Sequence, residues 1–425
     1  MKTTTITKLV TLSLLTATML HATNGDALIG VGAKARSMGG TAVALGHGAE
    51  GGFANPATIT QVEGTEISFG GTLFLPDIET GFGAGGVVFD SDKSHADTNI
   101  IPSVSIASKI NENWFIGAGM WGTAGMGTDF RNAGSTNQMD PSNGLMKMVT
   151  NLQLLSFGVP IAYKTSGFSI GVTPLLQYGN LDINYDGQMV VGYDGQTGMP
   201  NAFMPVSTSQ GLSQDFGFGW QAGMTYDFGE MGVEGLTLGL NYKSSIEMTY
   251  DGQITSAMKP FLAFGDFATE IGDTLEQPEE FSAGIAYVTG AHSFAFDYKN
   301  IKWSEAVGYA DFGWDDSDVY AFGYQFEQEG WALRLGYNYA SSAIVENNDA
   351  RLNYFNLLGF PATQEHHYTF GGTYELSEMF SADLAYVYAP SSETTFDISG
   401  LGQPMSEIAN THSEDSLTFQ FNFKF

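Results

Sequence analysis

The chain has 425 residues, of which 15% are charged, yet its formal net charge is −30. So acidic a balance from so few charges is unlike a soluble acidic protein, and it lacks the basic footprint that a nucleic-acid partner requires. Cys is absent, which excludes a disulfide framework and any thiolate metal site.

The first 22 residues read as an export signal. Lys2 and Lys8 give a basic start, Leu9 to Leu20 form an apolar core, and Leu20-His21-Ala22 offers a small residue for cleavage. That core is shorter than the ~20 residues a spanning helix needs. No later stretch approaches ~18 uninterrupted apolar residues, so no transmembrane helix follows. Residues 23–66 are rich in Gly and Ala, do not alternate, and end in Asn55-Pro56-Ala57, a turn fixed by proline just ahead of the first strand.

From residue 67 the period becomes two. The last ten residues show it best: Leu417, Phe419, Phe421, Phe423 and Phe425 face one way, and Thr418, Gln420, Asn422 and Lys424 the other. Trp331, Leu333, Leu335, Tyr337 and Tyr339 likewise oppose Arg334 and Asn338. Phe294, Phe296 and Tyr298 oppose Asp297 and Lys299. A charged second face is wet on that side, which a sandwich core does not explain. The pattern predicts 14 strands, at 67–75, 100–110, 114–122, 155–163, 168–178, 216–228, 236–246, 281–288, 292–300, 319–327, 331–340, 366–376, 380–388 and 416–425. Short turns such as Thr289-Gly290-Ala291 alternate with long connections of roughly 18 to 37 residues, as periplasmic turns alternate with external loops in outer-membrane barrels.

The expected fold is all-β: a 14-stranded antiparallel transmembrane β-barrel over 67–425 in a Gram-negative outer membrane. A barrel so wide has an open or plugged lumen, and residues 23–66 are expected as an N-terminal hatch inside it. Outer-membrane lipid and lipopolysaccharide would surround the apolar wall, and assembly machinery would read the strand ending in Phe425. A monomer is expected.

Three long loops carry apolar stripes. Leu145, Met148, Val149, Leu152 and Leu155 recur at helical spacing, as do Phe261, Phe264, Phe267 and Ile271; Tyr354, Phe355, Leu357, Leu358 and Phe360 form the third. They predict short helices and an apolar capture surface, set against the plainer reading that the loops pack on one another. Gly117, Gly119 and Gly122 crowd the third strand, where glycine marks a bend or merely close packing beside a plug. Lys243, Lys299 and Arg334 face the lumen by register. Each is a candidate contact for a ligand carboxylate, although a lumen or hatch acid such as Asp297, Asp383 or Glu50 is the more ordinary partner. Adjacent His366 and His367 point to opposite faces and make a poor metal site. No nucleophile triad stands out, and no metal or cofactor is expected.

Several segments resemble the outer-membrane transporters of long-chain fatty acids and aromatic hydrocarbons of the FadL and TodX type. Gly32-Ala33-Lys34-Ala35-Arg36-Ser37-Met38-Gly39-Gly40 with Asn55-Pro56-Ala57 is similar to that family's hatch. Phe296-Asp297-Tyr298 with Lys302-Trp303-Ser304, Arg334-Leu335-Gly336-Tyr337, and Pro361 with His367, Phe370, Gly371 and Gly372 are similar to later segments. The resemblance implies passive uptake of a hydrophobic molecule: capture by external loops, movement of the hatch, and lateral exit where the third strand kinks inward, here beside Gly117, Gly119 and Gly122. The alternative is a general diffusion porin for small polar solutes, against which a plug and apolar loops argue.

Overall fold

The structure, a computed structural model, describes residues 23–132, 146–196, 200–401 and 406–425. The expected export signal and Leu145 lie outside these residues. In chain order the strands are β1 (Thr23–Asn24), β2 (Ala27–Leu28), β3 (Thr65–Ala84), β4 (Val87–Lys93), β5 (Asn99–Lys109), β6 (Trp114–Met126), β7 (Val149–Gly158), β8 (Ile161–Thr165), β9 (Phe168–Tyr193) and β10 (Pro200–Ser209). They continue with β11 (Ser213–Asp227), β12 (Leu236–Lys243), β13 (Glu280–Thr289), β14 (His292–Ile301), β15 (Ser317–Gln328), β16 (Trp331–Ala340), β17 (His366–Ser377), β18 (Phe380–Asp397) and β19 (Glu407–Lys424).

Fourteen of these positions form one closed antiparallel ring, β7 and β8 sharing one position. The ring closes where β19 pairs with β3 from Lys424↔Glu66 to Glu407↔Gly83. β4 and β10 extend β3 and β9 as hairpins beyond the ring. Closure pairs the strands round the ring, the ladder between β5 and β6 being the shortened one, and an unpaired amide facing lipid would be costly.

The alternation seen in the sequence is the division between wall and lumen. Phe419 is 53% exposed and Leu335 59%, whereas Gln420 and Asn338 are each 1% exposed. A soluble fold would invert this; a barrel wall puts apolar side chains toward lipid. Aromatics gather near the short turns, where Trp114 packs edge-on against Tyr163 at 5.0 Å. The turn Thr289-Gly290-Ala291 is tight enough to need a positive φ, and Gly290 supplies it at +57°.

The ring departs from the expected spans in three places. The strand expected at 155–163 begins at Val149, so Val149, Leu152 and Leu155 are strand residues and not a loop helix. Leu152 and Leu154 point inward and are fully buried, while Phe157 faces out. Apolar residues on both faces of one strand had mimicked a helical stripe. The same strand breaks at Val159-Pro160, because proline has no N–H for the ladder; the Pro160 carbonyl instead accepts from the Gly117 amide at 2.8 Å. Finally, β3, β9, β18 and β19 run far past their expected ends. There the outward residues are polar, as in the Lys93–Asp77 pair, because that part of the wall stands above the lipid.

The other two loops carry short helices, but in the first of them the helix precedes the expected stripe: Phe261 and Phe264 lie in a 3-10 turn, and Phe267 and Ile271 in irregular chain. α2 (Gln253–Met258) leads into a 3-10 turn, and α3 (Ala350–Gly359) is capped by the Asp349 carboxylate, which accepts from the Arg351 amide. Leu352, Tyr354, Phe355, Leu357 and Leu358 are all buried, so α3 is enclosed on every side.

Candidate functional site

The hatch fills the lumen between Thr23 and Gly64. It comprises the β1–β2 hairpin, helix α1 (Gly32–Ser37) and two 3-10 turns. Polar groups from all round the wall hold its backbone. The Ala33 amide donates to Gln420 Oε1 at 2.7 Å, the Gly39 amide to Thr369 Oγ1 at 3.0 Å, and the amides of Ala42 and Val43 to Asp297 Oδ2 at 2.7 and 2.9 Å. Asn55 caps the turn begun by Pro56, its Oδ1 accepting from Ala57, and its Nδ2 donates to the carbonyls of Val43, Met224 and Leu240. Those contacts tie the hatch to β11 and β12. The wall receives the hatch on glycines: a methyl group at Gly223 would overlap Asn55, one at Gly239 the Val43 carbonyl, and one at Gly336 the Gly39 amide.

At β6 the wall is interrupted. Its ladder with β5 runs from Lys109↔Phe115 to Ser103↔Trp121 and stops. Above Trp121, β6 bulges at Thr123 and continues on β7 alone, while β5 continues on β3 alone. The hatch hairpin occupies the space between. Ala27 bridges to Ala124, the Gly125 amide donates to the Asp26 carbonyl at 3.0 Å, and Leu28 packs on Phe74 of β3 and Ile101 of β5. Phe53 of the hatch stacks on Trp121 at 3.9 Å. Gly117 and Gly119 lie below the interruption within the continuous ladder, opposite Ala107 and Ser105. Side chains there would meet Pro160 and Phe53 respectively. Gly122 is the first residue beyond Trp121 and has no β5 partner.

Asp26 is wholly buried, and its carboxylate accepts from Gln277 Nε2 at 3.0 Å and from the Tyr309 hydroxyl. Burial pushes its pKa up to about 6 against those hydrogen bonds. Tyr309 belongs to the loop after β14 and also walls a tight apolar pocket, about 20 Å³ as it stands, beneath the external loops, which must part to admit a larger molecule. Phe312, Trp314, Phe355, Phe360, Met126 and Leu181 complete most of that pocket. Phe312 stacks on Phe355 at 5.2 Å, and Tyr309 meets Trp314 edge-on at 4.7 Å.

The remaining expected residues distribute around this axis. Met148 and Phe261 are buried in the same apolar cluster as the pocket, against which Phe267 packs. Phe264 is only partly buried. Lys243 and Lys299 share one acid, Glu280, at 2.7 and 3.2 Å. A cavity of about 100 Å³ lies between these lysines and the hatch. Arg334 bonds Gln325 and Thr373 and lies 3.9 Å from Asp383. Sequence reasoning missed the β1–β2 hairpin. Its signal was Gly25-Asp26 after Asn24, a two-residue turn with Gly25 at φ +75°.

Residues 26–425 match the family model described as outer membrane protein transport protein (OMPP1/FadL/TodX). The long-chain fatty acid transport protein of Escherichia coli O6:H1 is 23% identical over 387 residues, covering 80% of this chain and 81% of that protein. The 47 kDa outer membrane protein of Pasteurella multocida is 23% identical over 381 residues, covering 84% and 85%. Among solved structures, a Pseudomonas aeruginosa FadL homologue superposes with a TM-score of 0.68 at 15% identity, covering 94% of this chain and 100% of that one. The toluene transporter TodX of P. putida superposes at 0.65 and 18% identity, covering 93% and 99%. At such identities the structures show a shared fold.

Proposed function

Because the chain belongs to the outer membrane protein transport family (OMPP1/FadL/TodX), a family of transport channels and not of enzymes, we propose that it admits apolar molecules passively and releases them sideways into the membrane. The substrates lie among the fatty acids and hydrocarbons for which relatives are named. A molecule enters the apolar pocket under the external loops, the β1–β2 hairpin moves, and the molecule leaves through the wall where β5 and β6 part. The opening lies above Trp121, so Gly122 borders it while Gly117 and Gly119 let Phe53 and Pro160 seat below it.

One observation carries this reading. Among the described residues, the β5–β6 ladder stops where the hatch hairpin bridges to β6, and unpaired backbone within a membrane is tolerated only where protein covers it. A lateral path also avoids rehydrating the ligand, at ~25 cal/mol per Å² of apolar surface. Lipid and lipopolysaccharide receive the ligand, and assembly machinery recognises the C-terminal strand. A general porin needs an open aqueous path, and the hatch occupies the lumen.

The absence of native cysteine makes the test clean. Ala27 and Ala124 are direct partners, and paired strand residues have the ~5 Å Cα separation a disulfide needs. The double variant A27C/A124C, oxidised, should fold normally and take up neither a labelled hydrocarbon nor a labelled fatty acid. Reduction should restore whichever uptake the parent shows. Full uptake with the disulfide complete would exclude hairpin movement from the path.

A further inference from the structure

Relatives carry names of two chemical kinds, a fatty acid transporter and a toluene transporter. The lining of the pocket described above bears on which of the two it can hold. Its described lining contains no Lys, Arg or His. Its polar side-chain atoms are already used within the protein. Asn356 Oδ1 accepts from Trp314 Nε1 at 3.3 Å, and Asn356 Nδ2 donates to the Phe312 carbonyl at 2.9 Å. The Tyr309 hydroxyl donates to Asp26 and accepts from Gln277 at 2.9 Å. An ionised carboxylate in this space would exchange water for aromatic edges and hydrocarbon, with no charged group and at most the second N–H of Asn356 to receive it.

The approach is equally unsuited to an anion. The loop 244–279 carries seven acids against Lys259, the loop 302–316 four against Lys302, and the loop 341–365 three against Arg351. Most of the nearby described cations are committed. Lys302 is paired with Asp316 at 2.6 Å, and Arg131 lies on Asp129. Arg351 bonds Asp349 at 2.6 Å and the carbonyls of Phe261 and Asp266, and lies 3.9 Å over the Phe267 ring. Lys147 and Lys259 are exposed on the loop surface. Further in, Lys243 and Lys299 share Glu280, and Arg334 faces Asp383. An anion would thus cross a field of like charge, screened only beyond ~8 Å at physiological salt, to a pocket whose described lining holds no cation.

We infer that this channel selects uncharged apolar molecules, such as hydrocarbons and neutral esters, and rejects ionised fatty acids at the external pocket. The inference rests on the proposed role of that pocket in uptake. Selection comes from two features acting in series: an acidic approach lowers the local concentration of anions, and a pocket with satisfied polar groups refuses the carboxylate. A protonated fatty acid carries no charge and passes both.

A matched pair of ligands tests this on the intact chain in lipid nanodiscs, with empty nanodiscs correcting for partition. Binding of methyl laurate, dodecane and laurate is measured at pH 8 by displacement of a labelled hydrocarbon. Methyl laurate and dodecane should bind, with methyl laurate at least about 100-fold tighter than laurate. Laurate should then gain about tenfold for each pH unit lowered toward the pKa of its own carboxyl, because only the neutral fraction binds. Laurate binding within threefold of its ester at pH 8 overturns the selectivity while leaving apolar transport intact. If neither methyl laurate nor dodecane binds, the pocket's role in uptake falls, and the selectivity with it.

Discussion

At the scale of single residues, Asn55 joins more of the structure than any neighbour in the hatch. One side chain caps a turn, holds the hatch loop at Val43 and reaches two wall strands. Removing it costs a cap of about 1 kcal/mol and leaves buried carbonyls short of a donor, together about 2 kcal/mol, or roughly 30-fold in local opening. The ring does not depend on it, because ladder bonds and lipid-facing area are untouched. Asn55→Ala should therefore speed amide exchange across residues 40–60 about 30-fold and lower uptake, while the barrel still migrates as a heat-modifiable species. Exchange unchanged from the parent would show that the hatch is held elsewhere. Asn55-Pro56 was legible as a turn, but its wall partners lie 169 and 185 residues away and no local pattern points to them. The lumen cations were legible by register; which acid each faces depends on neighbouring strands, so Glu280 went unnoticed as the shared partner of two lysines.

At the scale of elements, strands were readable where lipid imposes one chemistry on every second residue, and unreadable where it does not. Above the membrane the outward face of β3 carries Asp77 and Glu79 and that of β18 carries Glu393, so the period disappears although the strand continues. β7 was misread for the opposite reason, since apolar loops cover its inner face and lipid its outer one. The interruption at β6 follows from pairing across three chain segments, and Gly117 and Gly119 lie in the ladder below the gap while Gly122 borders it, which composition alone does not distinguish. β19 is the clearest element from sequence and also the most consequential. Phe425, the residue after it, extends the closure: the Phe425 amide donates to the Thr65 carbonyl at 2.9 Å, and the Thr65 amide donates back at 3.1 Å. Deleting Phe425 removes both bonds and one lipid-facing ring, so less folded barrel should reach the membrane, read as a reduced heat-modifiable fraction at equal expression. An undiminished fraction would make the terminal residue dispensable for closure.

At the scale of the whole molecule, ring and hatch divide the work. The ring gets its stability from ladder bonds and apolar contact with lipid, and the hatch converts a wide tube into a closed one. Deleting residues 23–64 should leave a folded ring that conducts ions steadily in planar bilayers, whereas the complete chain should show no such current. A large steady current from the complete chain would favour the general porin. The glycines under the hatch have a further consequence, one for descent. A polar lumen residue can be exchanged for another that offers a comparable hydrogen bond, but Gly223, Gly239 and Gly336 leave no volume for any side chain while the hatch is seated. Selection acting on the plug should be recorded on the wall, so that across diverging relatives these inward glycines change more slowly than the charged groups beside them.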